Sequence, residues 1–172
     1  MKHKLMFMYV IALGMLVWSC GDDDPKVDLP GPIKDSKIYS YDIIASAGAT
    51  ISLDKTLKLS DFSKLGIYEK YVRKGNLNTD SYIEFIKGES DSLELKDVTL
   101  QVKNNATLKY NLGTLTGDYK FSTLQDLNFL QSVVDEMVSK KETVLQLSCN
   151  STDLITKKAT LNLKLDITFS FQ

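Results

Sequence analysis

The chain closes on Ala159-Thr160-Leu161-Asn162-Leu163-Lys164-Leu165-Asp166-Ile167-Thr168-Phe169-Ser170-Phe171-Gln172. Ala159, Leu161, Leu163, Leu165, Ile167, Phe169 and Phe171 share one face at every second position. Thr160, Asn162, Lys164, Asp166, Thr168 and Ser170 share the other. A period of two over this length predicts a long strand with one buried face and one wet face. Half-wet strands belong to antiparallel sheets.

The same period recurs upstream in shorter runs. Tyr39, Tyr41 and Ile43 alternate, as do Ile51 and Leu53, Leu57 and Leu59, and Leu108, Tyr110 and Leu112. Tyr82 to Lys87 reads as a strand ended by Gly88, Tyr119 and Phe121 as a short strand, and Leu145, Leu147 and Cys149 as another. Between Leu93 and Val102 the phase slips at Asp97, which is how a bulge appears in sequence. Gly113-Thr114-Leu115-Thr116-Gly117 lacks the lysine of a phosphate loop and reads as a hairpin.

One segment carries a different period. Leu124, Leu127, Leu130, Val134, Met137 and Val138 recur at three and four, the single stripe of an amphipathic helix over about 123–140. Ser122 and Gln125 have the spacing of a capping box, and Lys140 and Lys141 suit the last turn. Residues 60–75 are ambiguous: Tyr68, Tyr71 and Val72 fit a helical face, but Gly66 and the β-branched residues weaken it. Many short strands with one late helix predict a mainly β protein. The expected fold is an antiparallel β-sandwich whose helix covers an edge or an open end, with a closed β-barrel as the alternative.

The other end of the chain speaks of location. Met1-Lys2-His3-Lys4 is cationic, Leu5 to Val17 is apolar apart from Gly14, and Ser19 stands just before Cys20. A run of this length is about half a membrane span, and the order of its parts reads as a signal peptide over 1–19. Leu16-Val17-Trp18-Ser19-Cys20 resembles the lipobox of bacterial lipoproteins, in the looser form found in Bacteroidota. Leu16 stands one step further back than the usual leucine, and Trp18 replaces a small residue. The resemblance implies that the Cys20 thiol receives a diacylglycerol and becomes the first residue of the mature chain. It also implies that the acids of Gly21-Asp22-Asp23-Asp24 are similar to a signal for the outer face of the outer membrane. An ordinary signal peptide with an incidental cysteine is the other reading. Two or three acyl chains, each methylene contributing roughly 0.8 kcal/mol, would make release negligible. Residues 20–37, rich in Asp, Pro, Gly and Lys, then read as a flexible tether, and 38–172 as one domain.

Composition excludes several functions. Loss of residues 1–19 removes Lys2 and Lys4 from the 21 basic residues and none of the 22 acidic ones. That balance argues against nucleic acid, which rewards basic patches. His3 is the only histidine and Trp18 the only tryptophan, and both leave with the signal peptide. The mature chain then has no Ser-His, Cys-His or His-metal arrangement, and neither cofactor nor metal is expected. Asp22 to Asp24 lack the spacing of a calcium loop.

The remaining candidates are modest. Ser52 and Lys55 match S-x-x-K but fall in a strand, where residues three apart face opposite sides. Glu84, Glu89, Asp91, Glu94, Asp97, Asp118 and Asp166 are carboxylates whose ordinary place is the wet face of a strand. A hydrolase would need two of them across one bond. Asp97 stands out because a bulge can aim a side chain. Cys149 reads as a small hydrophobe on an apolar face. Tyr68, Tyr71 and Tyr82 could form an aromatic platform for a sugar or peptide, with core or interface packing as the plainer reading. Asp91-Ser92-Leu93 is similar to the O-glycosylation triplet of secreted Bacteroidota proteins. The expected function is therefore not enzymatic. The chain reads as a lipoprotein bound to the membrane through its anchor, acting as a binding or structural module for a partner protein or glycan. A carrier of lipid or another small ligand in an apolar cavity, lined by Phe169 and Phe171, is the alternative.

Overall fold

The C-terminal alternation becomes the central strand of a sheet. In the computed structural model, which describes residues 28–89 and 93–171, β9 (Ile155–Phe171) runs for 17 residues. Ala159, Leu161, Leu163, Leu165, Ile167 and Phe169 are fully buried on its inner face. The signal segment, Cys20, and Asp91 and Ser92 of the glycosylation triplet lie outside the described residues.

Along one side of β9 lies β1 (Ile33–Ala45), with Ile33 opposite Phe169 and Ile43 opposite Ala159. The last five residues of the expected tether are therefore strand. Along the other side lie β3 (Val72–Leu77) and β4 (Tyr82–Ile86), end to end, and β7 (Tyr119–Phe121) lies beyond β4. A second sheet holds β2 (Thr50–Lys58), β8 (Glu142–Ser151), β5 (Leu95–Val102) and β6 (Asn105–Leu115), in that order. Every pairing is antiparallel. The protein is a two-sheet sandwich, and the barrel alternative is wrong: β1 and β7 edge one sheet, β2 and β6 the other. Closure would need those edges to be hydrogen-bonded to one another.

Side chains from both inner faces form one apolar cluster. Tyr41 spans it, its hydroxyl donating to the Leu145 carbonyl of the opposite sheet at 2.8 Å. A buried phenol needs such a partner, since an unmet polar group costs about 1–3 kcal/mol.

The helix, α1 (Leu124–Lys140), precedes the last two strands and touches β3 and β4 of one sheet and β6 and β8 of the other. Its cap is one residue later than Ser122. Thr123 accepts from the Asp126 amide, and Asp126 Oδ2 accepts from the Thr123 amide at 2.6 Å. The expected Ser122 cap is thus corrected, and Tyr110 supports the Thr123 register by donating to the buried Asp126 carboxylate. The buried stripe shifts as well. Leu130, Val134, Met137 and Val138 are buried as expected, but Leu124 is 76% exposed while Phe129 and Val133 are buried. A helix wedged between two sheets buries a wider face than one lying on a single sheet.

The ambiguous segment resolves into two 3₁₀ turns, Leu59–Asp61 and Gly66–Tyr71, followed by β3. β3 is a strand that periodicity did not reveal. The expected hairpin at Gly113 is wrong too: β6 runs through Gly113 to Leu115, and the chain then crosses to the other sheet as β7, which pairs with β4. The phase slip at Asp97 is a bulge. The β5 register shifts against both neighbours there, and Asp97 has φ +53°.

Candidate functional site

The outer face of the β1-β9-β4-β7 sheet carries the best-built surface feature. β4 alternates so that Ile83 and Phe85 point into the core and Tyr82, Glu84 and Ile86 point out. Register sets Lys164 opposite Tyr82, and Lys120 opposite Glu84. Both ammonium groups converge on one ring: Lys120 Nζ lies 4.0 Å from the Tyr82 centroid and Lys164 Nζ 5.7 Å. The ring quadrupole attracts each cation, by about 0.5–1 kcal/mol at an exposed site. Among the described residues, neither lysine has a carboxylate within ion-pair distance.

The three side chains line an open depression of about 240 Å³, completed by Asp80 and the hydroxyls of Thr79, Ser81 and Ser122. Beside it the Ser40 hydroxyl donates to the Asn162 side-chain carbonyl at 2.7 Å. Ile38, Ile44 and Ile86 alternate onto the same face and are 52%, 66% and 40% exposed. The surface thus mixes apolar contact area with donors and acceptors and leaves two cations free for a ligand.

Asp166 builds the rim. Residues 78–81 interrupt the line of β3 and β4, and Asp166 holds them. Its carbonyl accepts from the Asn78 amide at 2.7 Å, and its amide donates to Ser81 Oγ at 2.9 Å. The Asn78 side chain donates to its carboxylate, which also faces Lys34 Nζ at 3.3 Å. Sequence placed Asp166 among the wet-face acids, yet it is buried. The only hint was the polar run Asn78-Thr79-Asp80-Ser81, which alone cannot say what it folds around.

The four expected ligand-binding residues fall in three places. Tyr68 and Tyr71 sit on the Gly66–Tyr71 turn, where Tyr68 meets Phe171 edge-on at 6.1 Å and Lys70 lies over Tyr71 at 4.9 Å. Tyr82 is elsewhere: Lys164 and Phe171 are seven residues apart on β9, about 23 Å at 3.3 Å per residue. Asp97 is on the other sheet, exposed, and accepts from Asn150 Nδ2 at 3.3 Å.

Of the other acids, Glu89 pairs with Lys157 and Glu94 with Lys96, and Asp118 accepts from the Lys87 amide. Glu84 stands on the outer face opposite Lys120, and Asp91 lies outside the described residues. Ser52 and Lys55 lie on opposite sides of β2. Cys149 is buried opposite Ile51, and burial pushes its thiol up to about 11. Among the described residues, no three His, Cys, Asp or Glu side chains converge as a metal site, and no helix is long and apolar enough to cross a membrane.

No protein-family model matches this chain, and no curated protein is significantly similar to it.

Proposed function

We propose that the protein is a lipoprotein of the bacterial outer membrane, anchored through Cys20 and facing the exterior, that binds a partner protein or glycan without chemical turnover. The carrying observation is Tyr82, held between two cations that have no carboxylate within ion-pair distance among the described residues, on an open sheet face with three exposed isoleucines. A lysine pair kept free in this way is available to a ligand, and the surrounding Ile, Ser and Asn side chains suit a partner that is part apolar and part polar. The anchor reading rests on the lipobox-like residues before Cys20.

Phe169 and Phe171, which a carrier would need as cavity lining, are used in packing. Phe169 meets Phe62 edge-on at 5.0 Å, and Phe171 meets Tyr68. This supports the binding module over the carrier.

The test is recovery of cross-linked partners and glycans from intact cells carrying wild type or a Tyr82→Ala/Lys120→Ala/Lys164→Ala variant. Wild type is expected to capture a defined partner that the variant loses. Identical recovery from both, or none from either, would overturn the assignment of this face. Labelled palmitate entering wild type but not Cys20→Ala is the separate expectation for the anchor.

A further inference from the structure

The domain has a second charged surface, at the end from which the tether departs. Ile33 and Gly75 are both opposite Phe169, on either side of β9. The start of β1 is therefore two strand spacings, about 10 Å, from β3. Chain upstream of Ile33 leaves the sheet beside Val72, Phe171 and the Gly66–Tyr71 turn.

That end is basic. Arg73 is the only arginine in a chain with 21 basic residues. The register of β3 against β9 slips between Val72 and Lys74. Arg73 is the extra residue of that bulge, so Arg73 and Lys74 are both exposed instead of alternating. With Lys70 and Lys141 they line two adjoining depressions of about 360 and 350 Å³, which share Lys141. These four cations face two carboxylates, Glu69 and Asp135, and Asp135 already accepts from Gln131. Among the described residues none of the four has an acid within ion-pair distance. The patch runs against the sign of the whole chain, whose net charge is −1.

The patch also has an apolar tip. Gly66, at φ +48°, turns the chain into the 3₁₀ helix, and the next residue, Ile67, is 76% exposed. Ile67 shares a depression with Lys70 and Lys141. An exposed aliphatic side chain beside two cations suits a headgroup boundary, where the apolar atoms leave water and the cations meet phosphate.

We infer that this end of the domain docks on phosphate-bearing anionic lipid headgroups through Lys70, Arg73, Lys74 and Lys141, with Ile67 entering the boundary. This deepens, and rests on, the lipid-anchor reading. Thirteen positions separate Cys20 from Ile33, a reach of about 45 Å at full extension. Docking would fix its orientation and turn the Tyr82 face sideways along the membrane plane.

The probe is the chain from residue 20 onward with Cys20→Ser, which carries no lipid and keeps every element of the fold. It is sedimented with vesicles of pure phosphatidylcholine or of phosphatidylcholine mixed with phosphatidylglycerol. Binding is expected only to the anionic vesicles and to fade at high salt. Each cation removed should weaken it roughly fivefold. Arg73→Gln/Lys74→Gln is thus expected to lose more than about tenfold, and Ile67→Ser to lose several-fold. Lys157→Gln, already paired with Glu89, should change nothing. Circular dichroism of each variant checks that it folds. Equal binding to both vesicle types, no binding at low salt, or indifference to the Arg73/Lys74 change would overturn the docking surface. Palmitate labelling of the wild type in cells reads the anchor separately. Labelled protein with no vesicle binding removes the docking alone, and unlabelled protein with intact vesicle binding removes the anchor alone.

Discussion

A β-carbon placed on Gly75 would lie 2.8 Å from Cγ1 of Val134, closer than van der Waals contact permits. The helix therefore rests directly on the β3 backbone, with Val138 and Ile167 also beside the glycine. Val134 is β-branched and buried, so it has no free rotamer to retreat into. Gly75→Ala is expected to lower the unfolding free energy by about 1–3 kcal/mol in urea titration. Combined with Val134→Ala, the loss should be smaller than the sum of the two single losses. Strict additivity would show that the helix does not sit against this glycine.

The helix cap gives a second measurement. Thr123→Ala removes the side-chain acceptor of the Asp126 amide and should cost about 1 kcal/mol. Ser122→Ala should stay within about 0.5 kcal/mol of wild type, as ordinary surface changes do. The reverse order in thermal unfolding would place the cap on Ser122.

At the β5 bulge, Asp97 occupies the left-handed region at φ +53°. A residue with a Cβ is disfavoured there by about 1–2 kcal/mol, although Asp tolerates it better than most. Asp97→Gly should leave stability unchanged or raise it by up to about 1 kcal/mol, and Asp97→Val should lower it by about 1–2 kcal/mol. A marked loss in the glycine variant would mean that the carboxylate matters more than the turn.

Alkaline pH probes three phenols, the buried Tyr39 and Tyr41 and the half-buried Tyr110. Burial raises the Tyr39 hydroxyl above its usual range, aided by its hydrogen bond to Asp61, and burial raises Tyr41 likewise. Tyr110 is pushed up to about 12, by desolvation first and then by Asp126. An unfolded tyrosine ionises near pH 10. The folded state holds the protons more tightly, so this stability is complete below about pH 10 and declines as pH rises past it. For Tyr110 the decline ends near 12. Urea midpoints should fall steeply above pH 10, and less steeply in Tyr110→Phe. A midpoint that does not move over this range would contradict the burial of these hydroxyls.

Much of the fold was legible because burial leaves a period. β9 from Ala159, β1 from Tyr39 to Ile43 and β8 from Leu145 to Cys149 alternate cleanly, and the helix stripe from Leu130 to Val138 repeats at three and four. Even the Asp97 bulge showed as a slip of phase. β3 was hidden for the same reason in reverse: Arg73 adds a residue to the strand and Gly75 contributes no side chain, so Val72 and Leu77 no longer look like parts of one alternation. The capping-box spacing pointed to Ser122, whereas the cap is Thr123, whose partner Asp126 is also held by Tyr110 on another strand. Of the candidate aromatic residues, Tyr82 was named but its companions were not. Lys120 and Lys164 stand far from it along the chain, and only strand register brings them to one ring.

By itself the sequence determined a two-faced antiparallel sheet protein with one amphipathic helix, since periods of two and three to four are written in adjacent residues. It also determined that no histidine follows His3. Only the tertiary structure decided which strands are neighbours, that Asp166 is a buried hub, and that single cations gather around Tyr82 and beside Ile67. Those outcomes depend on contacts between residues dozens of positions apart, and no local pattern records which distant partner removes a given side chain from water.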